Sequence, residues 1–337
     1  MHFLVTGHTG FKGAWLCMLL KERGHQVSGF SDTANERSLY STAHLGDLLN
    51  FDLRGDIRKV DSIEAAYAKV NPDFVVHFAA QSLVRQSYLD PYSTMDTNVN
   101  GTLNVLRASQ NFRQLQGQLI ITTDKVYRNV GKREGYIETD SLGGQDPYSA
   151  SKSMADIATQ SWVKSFDNPP TAIARAGNVI GGGDICIDRL IPDLVDSFKI
   201  NSVPILRAPN SIRPWQHVLD CLNGYLILVD AVTQDNTCGE WNFGPNENQA
   251  KTVADVADIA STVWGIEKNW KYDALQHPHE APLLMLNSNK ARTELGWTDK
   301  LSFEQSVEWT INWYKNVNAG NDPLEETLKN IQDFESR

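Results

Sequence analysis

Three glycines at intervals of three residues, Gly7, Gly10 and Gly13, follow one apolar run and open another. A turn this tight between a strand and a helix leaves backbone N–H groups at the helix N-terminus facing outward, where an anion can sit. The run Gly7-His8-Thr9-Gly10-Phe11-Lys12-Gly13 therefore predicts the first βαβ unit of a doubly wound parallel sheet, a Rossmann fold with a dinucleotide at its turn. Thr9 and Phe11 lie in the turn with the glycines and are expected cofactor contacts. Asp32 stands 19 residues past Gly13, at the end of the second predicted strand. A carboxylate there accepts hydrogen bonds from both ribose hydroxyls and opposes a 2′-phosphate, which favours NAD over NADP. Asp56 and Ile57, after a third strand, are expected at the adenine edge. Phe78, Ala79 and Ala80, after a fourth, are expected where the backbone passes close to the cofactor.

Alternation of strand-like and helical patterns carries this fold through the first half of the chain. Candidate strands are His2–Thr6, Gln26–Phe30, Asp73–Phe78, Gln118–Thr122 and Thr171–Ala174. Helical patterns fall near Gly13–Arg23, Ser62–Lys69, Tyr92–Asn111 and Pro147–Ser165. After Ala176 a glycine-rich stretch changes the texture. Residues 1–176 are expected to form the dinucleotide domain, with a return near 214–243. Residues 177–213 and 244–317 are expected to form a smaller mixed α/β substrate-binding lobe, and 318–337 a terminal helix or loose tail.

The formal charge of -10 excludes a nucleic-acid or membrane-surface protein as the default. Four scattered cysteines without metal or disulfide spacing predict reduced thiols in the cytoplasm. A strand beginning at Phe3 leaves no signal peptide expected. His277, His279 and Glu280 lack further ligands at zinc spacing, so no metal is expected.

Asp146 reads as an N-cap and Pro147 as the first residue of a helix that presents Tyr148 and Lys152 on one face. A phenol beside an ammonium ionises more easily, and phenolate takes a proton from an alcohol as hydride leaves for a nicotinamide. Thr123, at the end of the fifth strand, is the candidate hydroxyl partner. Asp124 and Lys125 follow it, and a simple alcohol oxidation has no use for them. A second acid/base pair beside a hydride-transfer centre suggests loss of water after oxidation.

These residues carry a resemblance to the extended short-chain dehydrogenase/reductase (extended SDR) superfamily, and within it to the CDP-glucose 4,6-dehydratases. The matching stretches are Val5–Gly13, Thr122–Lys125, Asp146–Lys152, Arg175–Asp184, Asp188–Asp193 and Arg213–Val218, in family order. The resemblance implies a hydro-lyase that converts CDP-glucose to CDP-4-keto-6-deoxyglucose with NAD. Tyr148, Lys152 and Thr123 would serve oxidation at C4. Asp124 would act as the acid at O6, and Lys125 either as the base at C5 or only as a positioning group. It further implies a homodimer and a deoxysugar pathway for surface lipopolysaccharide. Arg189 and Arg213 are expected on the diphosphate, and Arg207 and Arg175 are weaker candidates. Gln81, Ser82 and Asn178 are expected at the sugar or phosphate, and Tyr127 and Trp215 either stack on the ligand or fill the core. Two segments depart from the family pattern, Arg128–Tyr136 and Ile185, and bear on which base and sugar are bound. The competing readings are a nucleotide-sugar 4-epimerase, a dehydratase of another hexose, and a non-catalytic NAD-binding regulator.

Overall fold

The computed structural model describes residues 1–246, 250–267, 270–273 and 284–337. In chain order the first half contains β1 (His2–Thr6), α1 (Phe11–Glu22), β2 (Gln26–Ser31), α2 (Leu39–Thr42), β3 (Phe51–Arg54), α3 (Val60–Val70) and β4 (Phe74–His77). It continues with α4 (Val84–Leu89), α5 (Pro91–Met95), α6 (Gly101–Gln110), β5 (Gly117–Ile121), α7 (Pro147–Ser165) and β6 (Thr171–Ala176). β1, β2, β4, β5 and β6 lie within two residues of their predicted bounds. Each is nearly all buried, because helices cover both faces of a parallel sheet.

The second half contains β7 (Asn178–Ile180), α8 (Leu190–Lys199), β8 (Ile205–Leu206), β9 (Ile212–His217), α9 (Val218–Asp235) and β10 (Gly239–Phe243). After these come β11 (Ala250–Thr252), α10 (Val253–Trp264), β12 (Lys271–Tyr272), α11 (Asn289–Glu294), α12 (Phe303–Asn318) and α13 (Pro323–Glu335). Seven strands form one sheet in the order β10-β6-β5-β4-β1-β2-β3, with every neighbouring pair parallel. The chain order reverses between β1 and β4, which opens a crevice at their carboxyl ends. A smaller mixed sheet, β11-β9-β7, and the pair β12-β8 lie in the second half. β9 covers residues 212–217 in that smaller sheet; α9 then packs against β5 and β6, and β10 joins the main sheet beside β6.

Two differences from the sequence reading have physical causes. The helix expected over Tyr92–Asn111 is interrupted by a π-helical turn, Asp96–Asn100, between α5 and α6. That turn carries Asn98 inward, fully buried. Its amide accepts from the Gln81 backbone N–H, and donates to Gln81 O at 3.0 Å and Ser151 Oγ at 2.8 Å. Such turns concentrate where a side chain must be redirected, and this one ties the loop after β4 to α7. The tail, expected as either a helix or a loose end, is a docked helix. α13 begins at the N-cap Asp322 with Pro323 next. It buries Ile331 and Phe334 completely, and Glu335 pairs with Arg23 of α1 at 2.9 Å.

If that docking is part of the core, Phe334→Ala should cost about 3–5 kcal/mol in urea unfolding. A loss below about 1 kcal/mol would show that α13 contributes nothing to the fold.

Candidate active site

The glycine turn fits a closely approaching ligand backbone. Gly7 has φ +75°, and a Cβ there would lie 2.7 Å from Ala79 N; one on Gly13 would lie 2.3 Å from Gly7 O. Neither contact is possible for a side chain, so glycine is required where the turn packs on the loop after β4 and on itself at the N-terminus of α1. Its second residue, His8, is fully buried and anchors it from below. His8 Nε2 lies 2.7 Å from Asp52 Oδ1, and Tyr40 OH (2.6 Å) and Arg54 (3.0 Å) donate to Asp52 Oδ2. Burial lowers the His8 pKa against the pull of Asp52. The ring lies where a Cβ on Gly29 of β2 would sit, so glycine is required there too. Nothing in the local sequence announces this cluster, because its members are scattered from residue 8 to residue 54.

Several expected cofactor contacts have other tasks. The Thr9 hydroxyl donates to Ser31 Oγ and Thr33 O, both at 3.1 Å, and so braces the loop after β2. The Phe11 ring packs toward Gly181 in the second half of the chain. Asp56 binds Arg58 with both carboxylate oxygens, and that contact holds its pKa below the usual range. Ile57 is buried against Gly101. Asp32 stands exposed just past β2 and accepts from its neighbour Thr33 N at 2.7 Å. Ala79 lies against Gly7, followed by Ala80, while the Phe78 ring stacks at a tilt on Tyr225.

At the carboxyl end of β5 the chain turns through one 3₁₀ segment, Asp124–Val126, capped by Thr123. The Thr123 hydroxyl donates to Asp124 Oδ1 at 2.9 Å and is also hydrogen-bonded to the Tyr148 side chain. Lys125 Nζ lies 3.5 Å from Asp124 Oδ1. Asp124 is buried, whereas the Lys125 side chain is 34% exposed. Asp146 caps α7 as expected, accepting from Ser149 N at 3.0 Å. Ser87 of α4 accepts the Tyr148 N–H at 3.1 Å and fixes the first turn from the opposite side. Thr123, Asp124, Lys125, Tyr148 and Lys152 therefore occupy adjoining positions at the edge of β5 and α7.

The electrostatics differ from the expectation for Tyr148 and Lys152. Lys152 is buried and donates to Ile121 O at 3.0 Å. Burial, reinforced by Lys12, pushes its pKa down to about 7, with Asp156 opposing. Burial raises the Tyr148 phenol, and the influences that lower it are Lys125, the Thr123 hydrogen bond and Arg189. The cations that act most on the phenol thus include Lys125 of the β5 turn and Arg189 of the second half of the chain. Sequence reasoning also missed Lys12. Its ammonium sits 5.9 Å from the Phe78 ring and 5.7 Å from the Tyr225 ring, and burial lowers its pKa. Its position inside the glycine run was the available signal.

Arg175, a weaker phosphate candidate, belongs to the core. It is completely buried and grips Asp156 of α7 through two bonds of 2.7 and 2.8 Å. It also donates to Tyr127 OH at 2.8 Å and to Glu138 O at 3.0 Å. Tyr127 and Trp215 are likewise core residues, 1% and 5% exposed. Arg189 donates to Asp184 at 2.9 Å beside the phenol. Arg207 pairs with Asp188, and Arg213 donates to Ile212 O at 2.9 Å. Asn178 opens β7, half-buried, and Ser82 is exposed on the loop after β4. The Gln81 side chain is not directed at a ligand: it bonds Leu83 N, Leu83 O and Thr94 Oγ1 within its own loop. His277, His279 and Glu280 lie outside the described residues. Among the described residues no group of three acidic, histidine or cysteine side chains is arranged to hold a metal.

A family described as GDP-mannose 4,6 dehydratase matches residues 4–310. The CDP-glucose 4,6-dehydratase of Salmonella typhimurium is 41% identical over 343 residues, covering 98% of this chain and 95% of that protein. The chain belongs to this dehydratase family. A probable dTDP-glucose 4,6-dehydratase of Sinorhizobium fredii is 27% identical, with 93% of each chain covered. The dTDP-glucose 4,6-dehydratase of Bacillus anthracis, solved in complex with NAD, superposes with a TM-score of 0.80 at 26% identity, covering 96% of this chain and 99% of that one. A UDP-glucuronic acid 4-epimerase of Bacillus cereus shares the fold, with a TM-score of 0.82 at 23% identity, covering 94% of this chain and 100% of that one. The parallel sheet and its smaller companion are those of the extended SDR fold.

The buried pair makes a stability prediction. Asp156→Leu leaves the Arg175 charge uncompensated and should cost about 3–5 kcal/mol in urea unfolding, and Asp156→Leu with Arg175→Met should recover most of it. Equal losses in both variants would mean that packing, and not charge pairing, holds α7 to β6.

Proposed function

We propose that this chain is an NAD-dependent nucleotide-sugar 4,6-dehydratase that converts CDP-glucose to CDP-4-keto-6-deoxyglucose. The observation that carries the reading is the second acid/base pair, Asp124 and Lys125, adjoining the pair of Thr123 and Tyr148. The likeness to the Salmonella enzyme supplies the substrate. The tight glycine turn at the N-terminus of α1, where backbone N–H groups favour an anion, suits the pyrophosphate of a dinucleotide. Asp32 after β2 suits the ribose of NAD. Bound there, NAD supplies the acceptor for the C4 hydride and the donor that returns it to C6.

The protein's part is to bind, orient and move protons. Tyr148, held by Thr123, takes the proton of the 4-hydroxyl. The 4-ketone then acidifies the C5 hydrogen, which Lys125 removes. Asp124 gives a proton to the departing 6-hydroxyl, releasing water, and a proton returns to C5 as hydride reaches C6. Lys152 orients the Tyr148 end of α7 through its bond to Ile121 O. Arg189 and Arg213 bind the diphosphate, with Arg207, Asn178 and Ser82 at its margins.

A 4-epimerase shares the fold but gives Asp124 and Lys125 no task, and a regulator without catalysis gives none to Thr123, Tyr148 and Lys152. We place the enzyme in the cytoplasm, consistent with four free cysteines, and its product in a deoxysugar pathway for lipopolysaccharide. It acts as a homodimer. α7 leaves Met154 (48%) and Ile157 (51%) exposed, and Tyr92 of α5 is 88% exposed, a surface suited to a second copy. No helix of the described residues is long and apolar enough to cross a membrane.

Incubation with CDP-, dTDP-, UDP- and GDP-hexoses, read by mass spectrometry, should show loss of one water from CDP-glucose. Isomerised sugar with no loss of water would move the assignment to an epimerase. Lys125→Met should lower formation of 6-deoxy product by about 10²-fold or more while C4 oxidation remains detectable; unimpaired product would remove Lys125 from the chemistry. Sedimentation should give twice the chain mass of 37.7 kDa, and a monomer would refute the dimer.

A further inference from the structure

α4 is a helix of six residues, yet it reaches two parts of the site at once. Ser87 accepts the N–H of Tyr148, and Arg85, two residues earlier, reaches across to the second half of the chain. There Arg85 Nη1 lies 3.1 Å from Asp188 Oδ1. The same oxygen lies 3.2 Å from Arg207 Nη1, and Arg207 Nη2 also donates to the Asp188 backbone carbonyl at 3.1 Å. The Asp188 carboxylate is therefore held between two guanidinium groups from separate elements, and Arg207 Nη2 also lies 3.7 Å from Asp193 Oδ2. Asp188 adopts φ +64°, a left-handed conformation that suits asparagine better than most residues. The next residue turns the other way: Arg189 points at Asp184 and influences Tyr148. The Arg85–Asp188–Arg207 group thus adjoins Arg189 in the chain, at 48%, 36% and 23% exposure.

Two arginines converging on one carboxylate present a fork of donors that fits a diphosphate better than it fits a single carboxylate, since bidentate bonds to phosphate are among the strongest that arginine makes. Partial exposure lets solvent receive Asp188 when a stronger anion arrives. Resting on the nucleotide-sugar reading above, we propose that Arg85 is a substrate-anchoring residue that, with Arg207, holds the margin of the substrate diphosphate whose centre is bound by Arg189 and Arg213. Asp188 is the internal anion that occupies this clamp until the diphosphate displaces it. Arg85 then joins the helix that fixes Tyr148 to the lobe that carries Arg189, so that gripping the diphosphate draws the two sides of the crevice onto the sugar.

The test is calorimetric titration of CDP and of cytidine into wild type, Asp188→Asn and Arg85→Gln. Asparagine retains the shape and the left-handed preference of Asp188, so the variant removes charge and little else. Asp188→Asn should bind CDP about fivefold tighter, since a competing ion pair of roughly 1 kcal/mol is gone. Arg85→Gln should bind CDP at least about fivefold more weakly, and neither variant should change the affinity for cytidine, which has no phosphate. An Arg85→Gln protein that binds CDP like wild type, or that loses CDP and cytidine in parallel, would overturn the clamp while leaving the dehydratase reading intact. Wild-type protein that binds none of CDP, UDP, dTDP and GDP would overturn the dehydratase reading and the clamp with it.

Discussion

The interaction on which the site most depends is the ion pair between Arg175 of β6 and Asp156 of α7, both fully buried. A charge in such a place is costly unless its bonds are complete, and here they nearly are. Asp156 also accepts from Thr122 Oγ1 at 3.0 Å and Gln160 Nε2 at 2.8 Å, and Arg175 reaches Tyr127 and the carbonyl of Glu138. The pair therefore ties β5, β6, α7 and the loop beyond the β5 turn into one unit. Tyr127 passes the tie to Asn242 of β10 at 2.8 Å, and Asn242 bonds the carbonyls of Tyr136 and Asn287. One turn before Asp156 on the same helix, Lys152 meets Ile121 O. A shift of α7 would break bonds at every point of this chain, so the β5 turn and Tyr148 keep a fixed relation.

On that frame the charges are arranged against the chain's own average. The net charge is -10, but Lys12, Lys152 and Arg189 lie close enough to affect the same few groups, with Asp124 among them. Burial lowers Lys12 and Lys152, with Arg189 adding to the first shift and Lys12 to the second. A concentration of positive charge in a buried crevice favours anionic ligands, and dinucleotides and nucleotide sugars both carry diphosphates. The activation of Tyr148 is correspondingly distributed. Its phenol is influenced by Lys125 and Arg189 as well as by Thr123, so the residues assigned to elimination and to substrate binding also bear on the residue assigned to oxidation.

The sequence made the periodic and local parts of this structure readable. The strand bounds followed from apolar runs, and α7 spans Pro147–Ser165 as predicted because Asp146 and Pro147 form a complete local start signal. The glycine turn was readable for the same reason: the constraint and the residues that meet it are adjacent. What could not be read depends on partners distant in the chain. No pattern near Arg175 distinguishes an arginine that neutralises Asp156 from one that binds phosphate. Asn98 looks like a surface helix residue until the π turn directs it at Gln81 and Ser151. The spacing of Tyr148 and Lys152 suggested a direct electrostatic partnership, yet burial, reinforced by Lys12, lowers the Lys152 pKa, and its ammonium bonds the Ile121 carbonyl. The docking of α13 on α1 joins the two ends of the chain and had no local signal either.

The central claim is that one rigid site both removes hydride from C4 of a sugar and returns it to C6 of the same molecule, with water lost between. Its most direct test is a turnover of CDP-glucose deuterated at C4 in ordinary water, with the product located by nuclear magnetic resonance. The account predicts deuterium at C6 of a 4-keto-6-deoxy sugar. Deuterium retained at C4 of an isomerised sugar, or a 6-deoxy product with no deuterium at C6, would contradict it.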